Sequence, residues 1–120
     1  MTIKNILVID DSPTERYLIA EILSKAGYRV TTIESAEAGI EKARAEPPDL
    51  ILMDIVMPGI DGYRATRMLI RDDKTKNIPI IVCTSKKQKT DMIWSLRQGA
   101  QDFVSKPIDG EELLAKIAAL

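Results

Sequence analysis

The chain is 120 residues long, 45% hydrophobic and 29% charged, enough apolar material for one core and one ordinary domain. With 17 basic residues against 18 acidic ones the net charge is -1, which gives no electrostatic case for nucleic acid or a membrane surface as partner. Histidine is absent and cysteine occurs once, which excludes a Ser-His or Cys-His catalytic pair, most zinc sites and an internal disulfide within this chain.

Ile6-Leu7-Val8-Ile9 is a short β-branched apolar run that reads as a buried strand, and it ends in Asp10-Asp11. Ser12 as cap, Pro13 at the first helical position and Glu15 three residues after the cap form a capping box that opens a helix. Leu18, Ile19, Ile22, Leu23 and Ala26 recur at helical spacing, and Gly27 supplies the stop. Tyr28 to Ile33 reads as a second strand. Ser35 caps a second helix with Ala36, Ile40 and Ala43 on one face, ended by Pro47-Pro48.

Leu50-Ile51-Leu52-Met53 is apolar without alternation, as a strand covered on both faces requires, and it delivers Asp54 into the loop Ile55-Val56-Met57-Pro58-Gly59. Asp61-Gly62 turns into a third helix with Ala65, Met68 and Leu69, and Asp72 to Asn77 is a polar connection. Pro79 to Cys83 is the fourth strand and ends in Thr84-Ser85; within it Cys83 reads as a small buried hydrophobe. Lys86, Lys87 and Lys89, read as a solvated face, precede a fourth helix built on Met92, Ile93 and Leu96 and stopped by Gly99. Trp94 either packs under that helix or lies on its surface, where it is a candidate anchor for a partner. Phe103-Val104 is a short fifth strand ending at Ser105-Lys106-Pro107. Asp109 and Glu112 cap a last helix with Leu113, Leu114, Ile117 and Ala118.

Five strand-helix alternations imply parallel crossover units and an α/β fold, a doubly wound five-stranded sheet covered on both faces. Ligands of such sheets sit at the carboxyl ends of the strands, and Asp10, Asp11, Asp54, Thr84 and Lys106 all occupy strand ends. Singly they say little. Asp54 is as readily a turn former as a site residue, Asp10-Asp11 a solvated turn, Thr84 an ordinary strand end and Lys106 a surface lysine. Together they converge in one cleft if the first, third, fourth and fifth strands are neighbours. Three clustered carboxylates repel one another and require a cation, and Mg²⁺ suits a small site with few carboxylates. Lys106 adds a point charge for a phosphoryl oxygen and Thr84 a hydroxyl donor. These are the parts for phosphoryl transfer to an aspartate.

The same residues, in the same order, resemble the receiver domain of two-component response regulators, with Met57-Pro58-Gly59 and Lys106-Pro107 adding to the likeness. The resemblance spans the whole chain and implies a single receiver domain over residues 1–120, flavodoxin-like or CheY-like, with five helices and strand order 2-1-3-4-5. It implies Asp54 as phosphoacceptor; Asp10, Asp11, Asp54 and the backbone carbonyl of Val56 as Mg²⁺ ligands; and Thr84 and Lys106 as phosphoryl contacts. It further implies Thr84 and Phe103 as switch residues and a cis bond between Lys106 and Pro107. The phosphodonor is a partner histidine kinase. The output is a protein effector at the surface of helix 4, strand 5 and helix 5, or the chain drains phosphate from its kinase; in either case it is a regulator and not an enzyme.

Asp10-Asp11-Ser12-Pro13-Thr14-Glu15, the run from Met53 to Gly59, and Trp94 with Arg97-Gln98-Gly99-Ala100 further resemble the stand-alone receivers of chemotaxis-like systems that control type IV pili and twitching motility, the PilH type. No second domain is expected, since the chain stops within the last helix. A cytoplasmic location follows from the lone cysteine, the lack of a signal-peptide core in Met1 to Asn5, and the lack of an apolar run near the ~18 residues that span a bilayer. Val56 offers no side-chain hydrogen bond to a hydrolytic water and Lys86 can pair with a phosphoryl group, which predicts slow spontaneous dephosphorylation without a partner. Two other classes stay open: a small Mg²⁺-dependent phosphohydrolase, although the second acid that the haloacid-dehalogenase type needs is here Val56, and a flavin-binding protein, although Asp10-Asp11 would repel its phosphate.

Overall fold

The computed structural model describes residues 2–85 and 89–120, so Lys86 and Lys87 of the expected lysine face lie outside the described residues. Strands and helices alternate: β1 (Asn5–Ile9), α1 (Pro13–Lys25), β2 (Arg29–Ile33), α2 (Ala36–Ala45), β3 (Leu50–Asp54), α3 (Gly62–Arg71), β4 (Ile80–Thr84), α4 (Lys89–Arg97), β5 (Asp102–Ser105) and α5 (Gly110–Ala118). All strand pairings are parallel, in the order β2-β1-β3-β4-β5.

Strand parity sorts the core into two layers. Ile6, Val8, Leu50, Leu52, Ile81, Cys83 and Val104 face Ile19 and Leu23 of α1 and Leu113 and Ile117 of α5. Leu7, Ile9, Ile51, Met53 and Ile80 face Ala36 and Ala43 of α2 and Ala65 and Leu69 of α3. Leu50 to Met53 are at most 1% exposed. At about 25 cal/mol per Å² of apolar surface, each such side chain contributes on the order of 2 kcal/mol, so this strand anchors whatever its end carries.

The helix starts follow the caps read from sequence. Ser12, Ser35, Asp61 and Asp109 each accept a backbone N–H from the first turn of the helix that follows. Gly27 and Gly99, at φ of 97° and 110°, end α1 and α4 in the left-handed region that glycine tolerates.

The structure corrects two expectations. The capping box at α1 is only half made: Ser12 Oγ accepts from the Glu15 N–H at 3.3 Å, but the Ser12 N–H donates to Asp10 Oδ1 at 2.9 Å and not to Glu15. The apolar residues of α4 do not form its packed face. Met92, Ile93 and Leu96 are exposed, with Trp94 at 48%, while Ser95 and Gln98 are buried. Helical spacing marks a stripe but does not say which side of the helix meets the sheet. Leu18 and Met68 also lie outward on α1 and α3.

Gly62 opens α3 directly beneath the end of β3. A Cβ there would stand 2.1 Å from the Asp54 carbonyl oxygen and 2.8 Å from Ile55 Cα. Both are backbone atoms and neither can rotate away. Gly62→Ala is therefore expected to destabilise the fold by about 2 kcal/mol or more through forced backbone displacement, measured as a lowered urea midpoint. An unchanged midpoint would mean that the loop carrying Asp54 yields freely.

Candidate functional site

The sheet register builds the site. β1 and β3 pair Ile6 with Leu50 and Val8 with Leu52, so the next step of the same alternation sets Asp10 beside Asp54. On β5 Val104 belongs to the same core layer, and Lys106 is its next residue of that parity. Thus two carboxylates and an ammonium emerge on one face at the carboxyl edge. Lys106 Nζ donates to Asp10 Oδ2 at 2.7 Å and to Asp54 Oδ1 at 3.3 Å. The side chains are 13%, 2% and 8% exposed respectively. The Lys106–Pro107 peptide is cis.

Asp10 is held from every side. Its Oδ1 accepts from the Ser12 N–H, its N–H donates to the Ile33 carbonyl at 3.0 Å, and its carbonyl accepts from Arg16 Nη1 at 2.7 Å. Asp11 is exposed, and carboxylate oxygens of Asp10, Asp11 and Asp54 lie within 4.8 Å of one another. That donor set is all carboxylate oxygen, hard and partly open to solvent, and fits a hydrated Mg²⁺. Asp10, Asp11 and Asp54 are the residues that would hold it.

Burial pushes the Asp54 carboxyl up to about 6, and the neighbouring Asp10 charge adds to the rise; the Lys106 ammonium and the Ile55 backbone N–H only partly offset them. Burial opposes the charge of Lys106, but its hydrogen bond to Asp10 and the charges of Asp54, Asp10 and Glu15 prevail and raise it above the ordinary lysine value. Burial likewise pushes the Cys83 thiol up to about 12, which leaves it a hydrophobe of the core and not a nucleophile.

Thr84 is wholly buried at the end of β4, and its carbonyl accepts from the Lys106 N–H at 2.8 Å. Phe103 is 3% exposed and packs with Ile55, Tyr63, Val82 and Ala100. Val56 follows Asp54 by two residues with its side chain 60% exposed. Trp94 meets Tyr63 edge to face, ring centroids 6.4 Å apart at 84°.

Residues 6–118 match the response regulator receiver domain. The chain belongs to that family. Among relatives of this receiver, Protein PilH of Pseudomonas aeruginosa is 50% identical over 115 residues, covering 96% of this chain and 95% of that protein. Among solved structures, chemotaxis protein CheY4 of Vibrio cholerae superposes with a TM-score of 0.90 at 25% identity, covering 98% of each chain. The receiver domain of sensor histidine kinase PA1611 from Pseudomonas aeruginosa, a structure with a magnesium ion coordinated in its active site cleft, gives 0.89 at 30% identity, with coverage of 98% and 97%. Receiver chemistry belongs to two-component signalling, and membership in the family displaces the phosphohydrolase and flavin alternatives. No described helix is long and apolar enough to cross a membrane.

Glu15 reads from the sequence only as part of a helix cap. Glu15, beyond its capping position, lies close enough for its charge to act on Lys106. The signal in the sequence is its place in the first turn of α1, directly after the acidic loop.

The raised Asp54 carboxyl sets a sign for stability against pH. With the folded value near 6 and the ordinary value 3.8, the fold favours the protonated acid; this stability is complete below pH 3.8 and is lost as pH rises through 6. Without divalent cation, Asp54→Asn is expected to match wild type near pH 4 and to exceed it by about 2 kcal/mol above pH 7. Urea unfolding in chelator across that range measures the gap, and a gap independent of pH would contradict the assignment.

Proposed function

We propose that this receiver accepts a phosphoryl group on Asp54 from the phosphohistidine of a partner histidine kinase. The observation that carries the reading is the convergence of Asp10, Asp11, Asp54 and Lys106 at adjoining strand ends, with Lys106 bonded to two of the acids. The histidine must come from the partner, since this chain has none. An Asp54 carboxylate oxygen attacks phosphorus in line, the bond from phosphorus to the imidazole nitrogen breaks, and an acyl phosphate forms on Asp54.

When bound by Asp10, Asp11, Asp54 and the Val56 carbonyl, Mg²⁺ would neutralise the carboxylates and the phosphoryl oxygens. Near neutral pH most Asp54 is ionised despite its raised pKa and competent to attack. Lys106 supplies a cation that passes from a carboxylate to the new phosphoryl group, and the Thr84 hydroxyl donates to it. Thr84 and Phe103 then carry the change to α4, β5 and α5. A shift of a few kcal/mol between two states suffices for such a switch. The exposed Met92, Ile93, Trp94 and Leu96 favour a protein partner there over a pure phosphate drain. The likeness to PilH supports a stand-alone receiver over residues 1–120, located in the cytoplasm and serving a chemotaxis-like system for type IV pili.

Phosphotransfer from candidate kinases tests the reading. Wild type is expected to take label only with Mg²⁺, and Asp54→Ala to take none; label retained on Asp54→Ala would overturn it. The lifetime of the phosphorylated form is a separate expectation. The exposed Val56 side chain has no hydrogen bond to offer a hydrolytic water. Lys86, the other residue invoked for a long lifetime, lies outside the described residues. Purified phospho-protein is expected to lose its label slowly, and loss within seconds in the absence of a phosphatase would contradict it.

A further inference from the structure

Glu15 sits in the first turn of α1 with an unusual deficit. Its Oε2 is buried and has no hydrogen-bond partner, the one such side-chain atom among the described residues. The donor that a capping box would have given it, the Ser12 N–H, is taken by Asp10. Its backbone N–H donates to Ser12 Oγ and the Ser12 N–H donates to Asp10 Oδ1, so Glu15 stands two hydrogen bonds away from the acid cluster. Among the described residues, Lys106 is engaged with Asp10 and Asp54, and Arg16 with the Asp10 carbonyl. A buried carboxylate oxygen without a donor, in the helix turn that follows the acidic loop, costs stability and calls for an explanation.

Glu15 is not one of the three residues whose carboxylate oxygens come within 4.8 Å of one another, so it stands outside direct ligation of an ion held by them. Mg²⁺ keeps several of its waters when protein carboxylates bind it. We propose that Glu15 is a fourth carboxylate of the cation site, its inward oxygen set to accept a hydrogen bond from the water shell of Mg²⁺ held by Asp10, Asp11 and Asp54. Glu15 is then a positioning residue that tightens and orients the ion without touching it, and the orphaned oxygen gains its donor when the ion arrives. The inference rests on the reading of the acid cluster as a Mg²⁺ site.

The competing account is structural: an acid in the first turn of α1 stabilises that helix through the dipole and nothing more. The two differ in sign. Mg²⁺ titration by calorimetry and thermal melting, in chelator and in saturating Mg²⁺, are run on wild type, Asp11→Asn, Glu15→Gln and Glu15→Leu. Wild type is expected to bind, and Asp11→Asn to bind far more weakly. Glu15→Gln is expected to weaken binding about tenfold, and Glu15→Leu, which also removes the acceptor, by more. In chelator, Glu15→Leu is expected to melt above wild type, because a buried acceptor without a donor has gone. Unchanged Mg²⁺ affinity in both Glu15 variants, or a Glu15→Leu melting point lowered equally in both conditions, would overturn the proposal and leave the site reading standing. No Mg²⁺ binding by wild type would overturn the site reading and the proposal with it.

Discussion

The Lys106 ammonium, shared between Asp10 and Asp54 and almost shut off from solvent, is the contact on which the site depends. It joins the end of β5 to the ends of β1 and β3, residues separated by 96 and 52 positions in sequence. Such a buried arrangement is poor evidence of stability, because removing charges from water costs about what their attraction returns. Here it is also unbalanced: one ammonium faces two carboxylates, with Asp11 and Glu15 close by. Burial first, and the Asp10 charge second, keep the Asp54 carboxyl near 6 despite a lysine in contact. Stability has to come from elsewhere, and the fully buried β3 with its two core layers supplies it.

The convergence of charge is a consequence of register. Asp10, Asp54 and Lys106 continue the alternation that sends Val8, Leu52 and Val104 into the layer beneath α1 and α5. A slip of one residue in any of these strands would turn its apolar residues to the wrong layer and its charged residue away from the cleft. The core therefore enforces the geometry of the site. Gly62 extends the same enforcement past the strand, since its missing Cβ lets α3 begin against the Asp54 carbonyl.

Much of this was legible from single residues. The apolar runs at Ile6-Ile9, Leu50-Met53 and Ile80-Cys83 fall where strands form, and Ser12, Ser35, Asp61 and Asp109 fall where helices are capped. These are local signals with local causes. Two features were not legible, and both turn on competition between partners. Ser12 has one N–H, and whether it goes to Glu15 or to Asp10 depends on where the strand end lies, which helix-start patterns do not record. The stripe Met92, Ile93, Leu96 has the spacing of a packed face, but Ser95 and Gln98 win the inward side. Gln98 there accepts from Arg67 of α3 at 2.5 Å.

Packed side chains join that outward-turned α4 to the residue after Asp54. Ile55, next in sequence to Asp54, packs in one cluster with Tyr63, Val82, Ala100 and Phe103. Tyr63 in turn meets Trp94 of α4 edge to face. From the acid to the helix there is thus a continuous run of packed side chains. Of the side chains described on α4, Met92, Ile93, Trp94 and Leu96 keep much of their surface in water, and ties to α3 include an aromatic edge and the Arg67–Gln98 bond. Edge contacts between rings are worth about 1 kcal/mol each beyond burial, and a hydrogen bond to a charged group about 2 kcal/mol. These are the same size as the free energy needed to redistribute two conformers. The strand that carries Asp54 could not move without opening two core layers. The fold thus puts a strand buried on both faces under Asp54 and a helix with an exposed apolar stripe at the other end of the packed run.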